Sequence, residues 1–269
     1  MTDLHNPLRH GQVFAPVRGG AGAAPTPRAG ESTAGLGAAD PAAPGYAVLQ
    51  LVRYRPTSVA WGLSRLALGA RGVDAWKGLR ALRILGSGRE GGFGVAPSWR
   101  HQGLFAMFDD EAAARSFAQE ARALQDRASR SAETFLAVLA ASAARGSWGG
   151  VGMRPVVEPQ AGRPLAALTR ASIRMPHAAT FWGHSPGSES ALRRTEGCRL
   201  AVGLGEAPLL RQATFSLWDT AEAMQAYSRH GSHGDAARRA FREGWFSEWM
   251  FVRFVPLMLR GSWAGQVFG

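Results

Sequence analysis

Two histidines in the C-terminal third of the chain are spaced as ligands of one metal ion would be. His230 and His233 stand three residues apart, where a predicted helix that starts at Asp219 gives way to a loop. A metal site needs further donors, and no third ligand stands at a convincing spacing. Solvated loop histidines would show the same pattern, so the pair is a candidate and not a signature. Three other histidines carry no pattern that ranks them: His101, His177 and His184.

A serine nucleophile is a second possibility. Gly183-His-Ser185-Pro-Gly187 matches the G-x-S-x-G elbow of α/β-hydrolases, and Asp219 and His233 follow in the order that a catalytic triad of that class needs. An elbow requires a buried strand before the serine and a helix directly after it. Here a short predicted helix precedes Ser185 and Pro186 follows it. A serine esterase therefore stays open as a rival enzyme class, which an acyl adduct on Ser185 would identify.

A glycine-rich stretch invites a nucleotide-binding interpretation. Gly86-Ser-Gly88-Arg-Glu-Gly91 matches G-x-G-x-x-G, whose glycines admit a pyrophosphate to a helix N-terminus in dinucleotide-binding folds. A predicted strand precedes the motif, but Gly92, Gly94 and Pro97 continue it as a loop that leads to another strand. Because no helix follows, the pattern indicates a glycine-lined bend and not a nucleotide site.

Aromatic side chains are numerous, with 9 tryptophans in the chain. A cluster near the C-terminus predicts either ordinary core, which is the default, or the wall of a large flat apolar pocket. Such a pocket beside a histidine could hold haem, and the chain has no C-x-x-C-H motif that would attach it covalently. The cluster comprises Trp245, Phe246, Trp249, Phe251 and Phe254.

Cysteine usage and hydropathy bear on the compartment. Cys198 is the only cysteine, so neither an internal disulfide nor a thiolate metal cluster can form within one chain. We expect this isolated thiol to be a small core residue. No apolar segment has the length of a secretory signal, and nowhere do about 18 apolar residues run together. A cytoplasmic protein without a spanning helix is therefore expected.

The elements that must position these residues occur twice in the same order. Such fixed-order self-similarity favours one fold unit used twice. Arg145-Gly-Ser-Trp148 recurs as Arg260-Gly-Ser-Trp263, Gly86-Ser-Gly88 as Gly203-Leu-Gly205, Leu104–Asp109 as Ala213–Asp219, and Ala47–Arg53 as Ala167–Ile173.

Each half is predicted to run strand, helix, strand, strand, helix, strand. In the second half we expect strands over 165–174, 200–204, 209–218 and 251–258, and a short helix from 178 to 183. Asp219 and Glu222 form a capping-box pattern at the start of the next helix, and 109–111 begin the matching helix of the first half.

A β-α-β-β-α-β unit is the ferredoxin-like fold, and two fused copies can pack as a dimeric α+β barrel. The predicted fold class is therefore α+β, with two fused ferredoxin-like repeats. The expected domains are a disordered Pro/Gly/Ala-rich extension over 1–45, a first repeat over 46–160 and a second over 161–269.

The formal net charge of +11 raises the question of nucleic-acid binding. Lys77 is the only lysine among 31 basic residues, a bias that a GC-rich genome explains as well as a basic groove does. The basic residues are spread along the chain, and no zinc-finger or RNA-recognition signature accompanies them. We therefore expect no nucleic-acid partner. A surface that faces anionic lipid or an acidic protein accounts for the charge equally well.

Several stretches together resemble the spheroidene monooxygenase family, the acyclic carotenoid 2-ketolases of purple phototrophic bacteria. The resemblance spans roughly residues 46 to 256 and rests on structural motifs more than on catalytic ones. It is carried by Leu85-Gly-Ser-Gly88 with Gly92-Phe93, Pro164–Arg174, Gly203–Ser216 and Arg242–Phe246.

The resemblance implies a haem-dependent oxygenase that uses O2 and reduced ferredoxin to convert spheroidene to spheroidenone through two hydroxylations at C2. It implies non-covalent haem b, with His233 as the axial iron ligand and His230 as the second choice. A carboxylate or carbonyl, such as that of Asp235, would fix the other ring nitrogen of the imidazole. By location alone, Arg211 or Arg229 would pair with the haem propionates. No catalytic residue beyond these is assigned.

The substrate implied by the resemblance also bears on location and partners. A long polyene must be drawn from a membrane, so peripheral contact with the inner or photosynthetic membrane is expected. A positive surface would also attract an acidic ferredoxin. A barrel that has lost its cofactor and serves as a binding protein stays open, as does a homo-oligomer.

Overall fold

The computed structural model describes residue 40 and residues 42–183, 192, 194–207, 210–229 and 239–269. The first half contains β1 (Tyr46–Tyr54), α1 (Val59–Leu68), β2 (Leu79–Gly88), β3 (Pro97–Phe108), α2 (Glu111–Glu120), α3 (Arg122–Ser129) and β4 (Ser131–Gly146). The second half contains β5 (Leu165–Ile173), a short helix over 178–183, β6 (Cys198–Ala207), β7 (Arg211–Trp218), α4 (Ala221–Arg229), β8 (Phe246–Trp263) and β9 (Gln266–Phe268). None of the described helices is long and apolar enough to cross a membrane.

The strands form one antiparallel sheet that closes on itself. Its order is β4-β1-β3-β2-β6-β7-β5-β8, with β9 beside β8, and β8 also pairs with β4. Each half therefore has the same internal order, 4-1-3-2 in the first and 8-5-7-6 in the second. The predicted fold class, a dimeric α+β barrel built from two fused ferredoxin-like repeats, is confirmed. The domain boundaries stay predictions, and most of the expected extension lies outside the described residues.

Strand registers show which residues of the two repeats are equivalent. Tyr46 of β1 pairs with Phe108 of β3, and Leu165 of β5 pairs with Trp218 of β7. These two pairs occupy the same place in their repeats, so counting along the strands from them relates every other paired position.

Two equivalences expected from the sequence are wrong by one or two residues. An Ala-rich strand resembles itself after a shift of one residue, and a Gly-x-Gly motif does so after a shift of two, so composition concealed the register. The registers match Ala47 with Ala166 instead of Ala167, and Gly86 with Gly205 instead of Gly203.

Helix α4 begins one residue later than its sequence pattern indicates. The hydroxyl oxygen of Thr220 accepts a hydrogen bond from the amide of Ala223 at 3.2 Å, so Thr220 is the N-cap. The predicted capping box of Asp219 and Glu222 is therefore wrong. Threonine and aspartate are both good caps, and their adjacency left the start of the helix ambiguous. Asp219 instead faces Arg199 at 3.7 Å.

The repeated Arg-Gly-Ser-Trp motif closes the barrel at both ends. Because β4 and β8 are antiparallel, their C-terminal ends lie at opposite ends of the barrel. Trp148 and Trp263 both enter the central apolar core. Trp148 stacks on Phe105 with ring centroids 5.6 Å apart, and Trp263 meets His101 edge-on at 5.6 Å.

The glycines of the two motifs are required by the backbone. Gly146 and Gly261 both have positive φ. A Cβ atom at Gly146 would overlap the carbonyl oxygen of Trp249, and one at Gly261 would overlap that of Thr134. Both oxygens belong to the neighbouring strand, so a side chain at either glycine would push β4 and β8 apart.

An ion cluster links the two repeats inside the barrel. Arg170 of β5, whose side chain is only 4% exposed, binds Glu248 of β8 at 2.6 Å and Glu206 of β6 at 3.3 Å. Arg83 of β2 reaches the same Glu206 at 3.3 Å. Both guanidinium groups lie over the ring of Trp148, at 5.6 and 5.9 Å. The cluster therefore joins the end-closing tryptophan to strands of both halves.

Glu248 is held in its charged form by this cluster. Burial opposes ionisation of the carboxyl group, but a hydrogen bond from the Gly150 amide and the charge of Arg170 outweigh the burial. The pKa of Glu248 is consequently lower than that of an exposed glutamate.

Gly146→Ala and Gly261→Ala should each lower the free energy of unfolding by about 3 kcal/mol or more, because strand overlap adds to positive-φ strain. Gly150→Ala is the matched control: its φ is also positive, but a Cβ there would meet nothing within 4 Å. We expect it to cost only about 1 kcal/mol. Urea unfolding measures all three, and equal losses would contradict the role assigned to strand approach.

Candidate functional site

The outer faces of the two repeats carry different side chains at equivalent positions. In the first repeat, the face that packs against helices carries large apolar residues. In the second repeat, several of these positions hold smaller or polar residues, while Phe108 and Leu136 are matched by the larger Trp218 and Phe251. Val48, Val52, Leu82, Ile84, Leu104 and Val138 correspond to Ala167, Ala171, Ala201, Gly203, Thr214 and Arg253.

The first repeat is filled at this face. Val48 and Leu104 of the sheet are fully buried against Phe117 of α2 and Leu124 of α3. Trp76 meets Phe117 edge-on, with ring centroids 5.4 Å apart. Close packing of this kind stabilises the half without leaving room for a ligand.

The second repeat encloses a cavity of about 680 Å³ at the equivalent face. It lies between β5–β8 on one side and the short helix 178–183, α4 and residues 240–246 on the other. Its volume is in the range of pockets that bind cofactors and other small molecules. Phe181, Trp182, Trp218, Tyr227, Phe241 and Trp245 supply most of its aromatic wall.

The aromatic cluster predicted from the sequence is divided between cavity and core. Trp245, Phe246 and Phe251 line the cavity. Phe254 is fully buried in the barrel core, and Trp249 packs edge-on against a further lining residue. Both interpretations of the cluster are therefore correct for different members, since alternate residues of a strand face opposite sides of the sheet.

Two arginines stand at the cavity without a carboxylate partner among the described residues. Arg145 lies one residue before the end of β4 and Arg253 lies in β8, and both line the cavity while remaining exposed. Arg145 pairs with Phe251, two residues before Arg253, so the arginines are diagonal neighbours on one face. Guanidinium groups placed beside an apolar cavity suit a ligand with an apolar body and carboxylate ends.

The cavity wall also contains a tyrosine that stays neutral. Burial, with a smaller contribution from the Cys198 thiol, raises the pKa of Tyr227 to about 12. The phenol of this α4 residue tilts against Trp218 at 5.6 Å. At neutral pH it keeps its proton and adds no charge to the cavity wall.

The residues predicted to bind iron lie outside the described part of the chain. His230 and His233 follow α4 directly in the sequence, and α4 contributes Met224 and Tyr227 to the cavity wall. The side chain of Arg229, the last residue of α4, is likewise outside the description. Asp235 and His184 are also outside it.

Arg211, the other predicted propionate partner, starts β7 and is exposed. Its backbone pairs with Ser172. The next residue, Gln212, lines the cavity, whereas Arg211 is absent from the described lining. The structure thus places the two cavity arginines on β4 and β8.

The two histidines among the described residues pack against neighbouring side chains of the protein. His101 is buried in the barrel, its Nδ1 lies 2.8 Å from the hydroxyl of Ser98, and burial lowers its pKa. His177 stacks on the cavity residue Trp245, with ring centroids 5.8 Å apart. Within the described ranges, no three His, Cys, Asp or Glu side chains converge on a metal position.

The serine elbow is only partly within the description. Gly183 is the last described residue before the gap. It belongs to the helix over 178–183, the helix that was expected to precede Ser185. Ser185 lies outside the described residues, as does His233. Asp219, the candidate acid, ends β7 and faces Arg199.

Sequence reasoning missed Arg145, Arg253 and Phe93 as cavity residues. Arg145 belongs to the repeated motif, but nothing in that motif indicates which side of the sheet its arginine faces. The available signal was the loss of large apolar residues from the second repeat, and it becomes readable only after the register of the strands is known.

No protein-family model matches the chain. The spheroidene monooxygenase of Rubrivivax gelatinosus is 46% identical over 224 residues, which cover 82% of this chain and 86% of that protein. The spheroidene monooxygenase of Rhodobacter capsulatus is 36% identical over 225 residues, covering 82% and 93%. The crystal structure of the aldoxime dehydratase OxdRE with butyraldoxime matches with a TM-score of 0.54 at 11% identity, over 81% of each chain, and shows the shared fold.

Thr214→Leu restores the residue of the first repeat and should fill part of the cavity. We expect anilinonaphthalene sulfonate to bind about tenfold more weakly, while the free energy of unfolding stays the same or rises by about 1 kcal/mol. The reciprocal variant Leu104→Thr should cost about 2 kcal/mol and leave dye binding unchanged. Fluorescence titration and urea unfolding measure both effects. Undiminished dye binding to Thr214→Leu would place the dye elsewhere.

Proposed function

The chain belongs to the spheroidene monooxygenase family, and from that premise we propose that this monooxygenase is a haem-dependent carotenoid 2-ketolase. It would introduce a C2 keto group into an acyclic carotenoid, converting spheroidene to spheroidenone with O2 and reduced ferredoxin. The observation that carries the proposal is the large aromatic cavity of the second repeat, with two arginines that have no carboxylate partner among the described residues.

The lining of the cavity fits a non-covalently bound haem b. Aromatic faces such as Trp182, Trp218 and Phe251 suit the apolar macrocycle. Arg145 and Arg253 supply bidentate donors for two propionates at the exposed side. Those two arginines are preferred to Arg211 as propionate partners, because they line the cavity and Arg211 is absent from the described lining. The side chain of Arg229 lies outside the described residues.

The iron ligand is proposed to be His233, with His230 as the alternative. Both follow α4, the helix that carries Met224 and Tyr227 into the wall. A carboxylate such as Asp235 would hold the second ring nitrogen and orient the imidazole. When bound, haem supplies activation of O2, and a reduced ferredoxin supplies the electrons that this activation consumes.

The chain's own residues exclude water and position the polyene. The aromatic wall keeps the reacting carbon in an apolar environment and limits the orientations of a long conjugated chain. Tyr227, whose pKa burial raises to about 12, stays protonated and adds no charge to the site. Two successive hydroxylations at one carbon give a geminal diol, which loses water to become the ketone.

An exposed surface beside the cavity residue Trp245 is suited to contact with a membrane. Met175 is 75% exposed, and the cavity residue Phe241 is 43% exposed. Arg174 and Arg242 are exposed directly beside these two residues in the sequence. Apolar side chains next to basic ones favour peripheral binding to anionic lipid, from which the substrate would enter.

The proposed partners follow from the same surface. The positive charge of the chain would attract an acidic ferredoxin as electron donor. No nucleic-acid partner is proposed. The location proposed is cytoplasmic and peripheral at the inner or photosynthetic membrane, and a homo-oligomer is compatible with each of these proposals.

Protein purified from haem-supplied cells should show a Soret band, and His233→Ala should lose or shift it. Arg145→Gln and Arg253→Gln should each release haem to apomyoglobin about tenfold faster, since each removes one charge-assisted contact. Arg211→Gln is the matched control and should leave the rate unchanged.

The outcomes separate the remaining alternatives. A Soret band indifferent to His233→Ala but lost in His230→Ala would move the iron ligand. If Arg211→Gln were the only variant to release haem faster, the propionate partner would be Arg211 of β7 and not the two cavity arginines. A folded protein without a Soret band would overturn the haem mechanism, leaving the serine esterase and the cofactor-free binding protein.

Arg174→Glu combined with Arg242→Glu should weaken binding to vesicles of phosphatidylglycerol by about tenfold, because each reversal replaces attraction by repulsion at the lipid surface. Binding to phosphatidylcholine vesicles should change little. Arg122→Glu, an exposed change in α3 of the other repeat, is the control. Vesicle co-sedimentation measures the effect, and equal binding by all variants would count against this membrane face.

A further inference from the structure

The glycine-rich loop between β2 and β3 crosses from the first repeat onto the second. β2 and β6 are paired only at Gly86 with Gly205 and at Ser87 with Leu204. Beyond this short seam, the hydroxyl of Ser87 donates a hydrogen bond to the carbonyl oxygen of Gly203 at 2.6 Å. The motif that resembles a nucleotide-binding loop therefore lies at the junction of the repeats.

Gly203 leaves room for this loop. A Cβ atom on Gly203 would overlap the carbonyl oxygen of Gly92 and lie 2.9 Å from the Cα of Phe93. The turn before it is fixed by the hydrogen bond from the Gly92 amide to the Arg89 carbonyl at 2.9 Å and by positive φ at Gly91. The loop backbone thus rests directly on β6 of the other repeat.

Phe93 is the side chain that the loop delivers. It packs against an apolar cluster of the second repeat that contains Leu165, Trp218 and Met224, and it lines the cavity. Of the described lining residues, it is the one aromatic side chain that the first repeat contributes.

The register shows what Phe93 replaces. Gly203 is equivalent to Ile84, which fills this position in the first repeat with its own side chain. In the second repeat the strand has no side chain there, and Phe93 from the neighbouring repeat covers the gap. Over β6, the cavity wall is therefore formed by the side chain of a loop residue. A substitution that changes the size of this side chain leaves the strand itself unaltered.

We propose that Phe93 is a specificity-determining residue, which sets the width of the cavity over β6 and favours a slim linear polyene over one that ends in a ring. Gly203 is small because any side chain would displace the loop that carries Phe93. The inference rests on the proposed function for the class of ligand. The contact between loop and cavity stands without it.

The test uses two polyene carboxylates and full-length protein purified without added haem, because haem in the cavity would contact the same walls and quench the same tryptophans. Parinaric acid is a linear conjugated chain, and retinoic acid carries a cyclohexenyl ring. Trp182, Trp218 and Trp245 line the cavity, so either ligand bound there quenches tryptophan fluorescence by energy transfer. The full-length protein should bind parinaric acid more tightly than retinoic acid.

Phe93→Ala should reduce the preference for the linear probe about tenfold or more, in line with the discrimination that an apolar pocket achieves through shape. Gly203→Ala should do the same by displacing the loop, and the double variant should lose no more than Gly203→Ala alone. Gly94→Ala, in the same loop but with nothing within 4 Å of the added Cβ, should behave as wild type. Thermal unfolding checks that each variant is folded.

Each outcome decides the inference. A preference unchanged in folded Phe93→Ala would overturn it, as would additive losses in the double variant. Failure of wild type to bind either probe would overturn both the inference and the assignment of the cavity to a polyene. If the wild-type protein shows no Soret band and Phe93→Ala still lowers the preference for the linear probe, the role of Phe93 is supported and the haem mechanism is overturned.

Discussion

The antiparallel pairing of β4 with β8 is the interaction on which the rest of this protein depends. It joins the repeats over a long stretch, from Phe135 with Gly261 to Gly146 with Met250, whereas β2 and β6 meet at only two positions. Hydrogen bonds along the long seam fix how the two halves of the sheet are aligned with each other, and strand register decides which residues face inward. The positive-φ glycines at its two ends allow the strands to approach and turn the following tryptophans into the core.

Duplication gives each half a different task within this frame. The inner face is mainly apolar in both halves because the barrel interior is shared, and Leu49, Phe105, Leu168 and Phe215 fill it from both repeats, apart from the ion cluster around Arg170. The outer faces are independent of one another. The first is packed to high density by Phe117 and its neighbours, while the second has smaller side chains at several positions and encloses the cavity. Stability and binding can therefore be supplied by different halves of one sheet.

Charge is used differently on the two sides of the barrel wall. Inside, the charge of the buried Arg170 is balanced by Glu206 and Glu248, since an unpaired ion there would be costly. Outside, Arg145 and Arg253 have no carboxylate partner among the described residues and remain in contact with water. Because water solvates an exposed guanidinium group, leaving it without a carboxylate costs little free energy, and a ligand that carries a carboxylate can bind it there.

The sequence by itself determined the order of elements, the duplication and the family, because these depend on local periodicity and on stretches of similar residues. It also placed a large apolar pocket near Trp245 as one of two alternatives. The tertiary structure alone decided which alternative held for each aromatic residue, because a shift of one residue exchanges the faces of a strand. It alone brought Phe93 from the first repeat over Gly203 of the second, since contact between residues so distant in the chain arises only when the barrel closes.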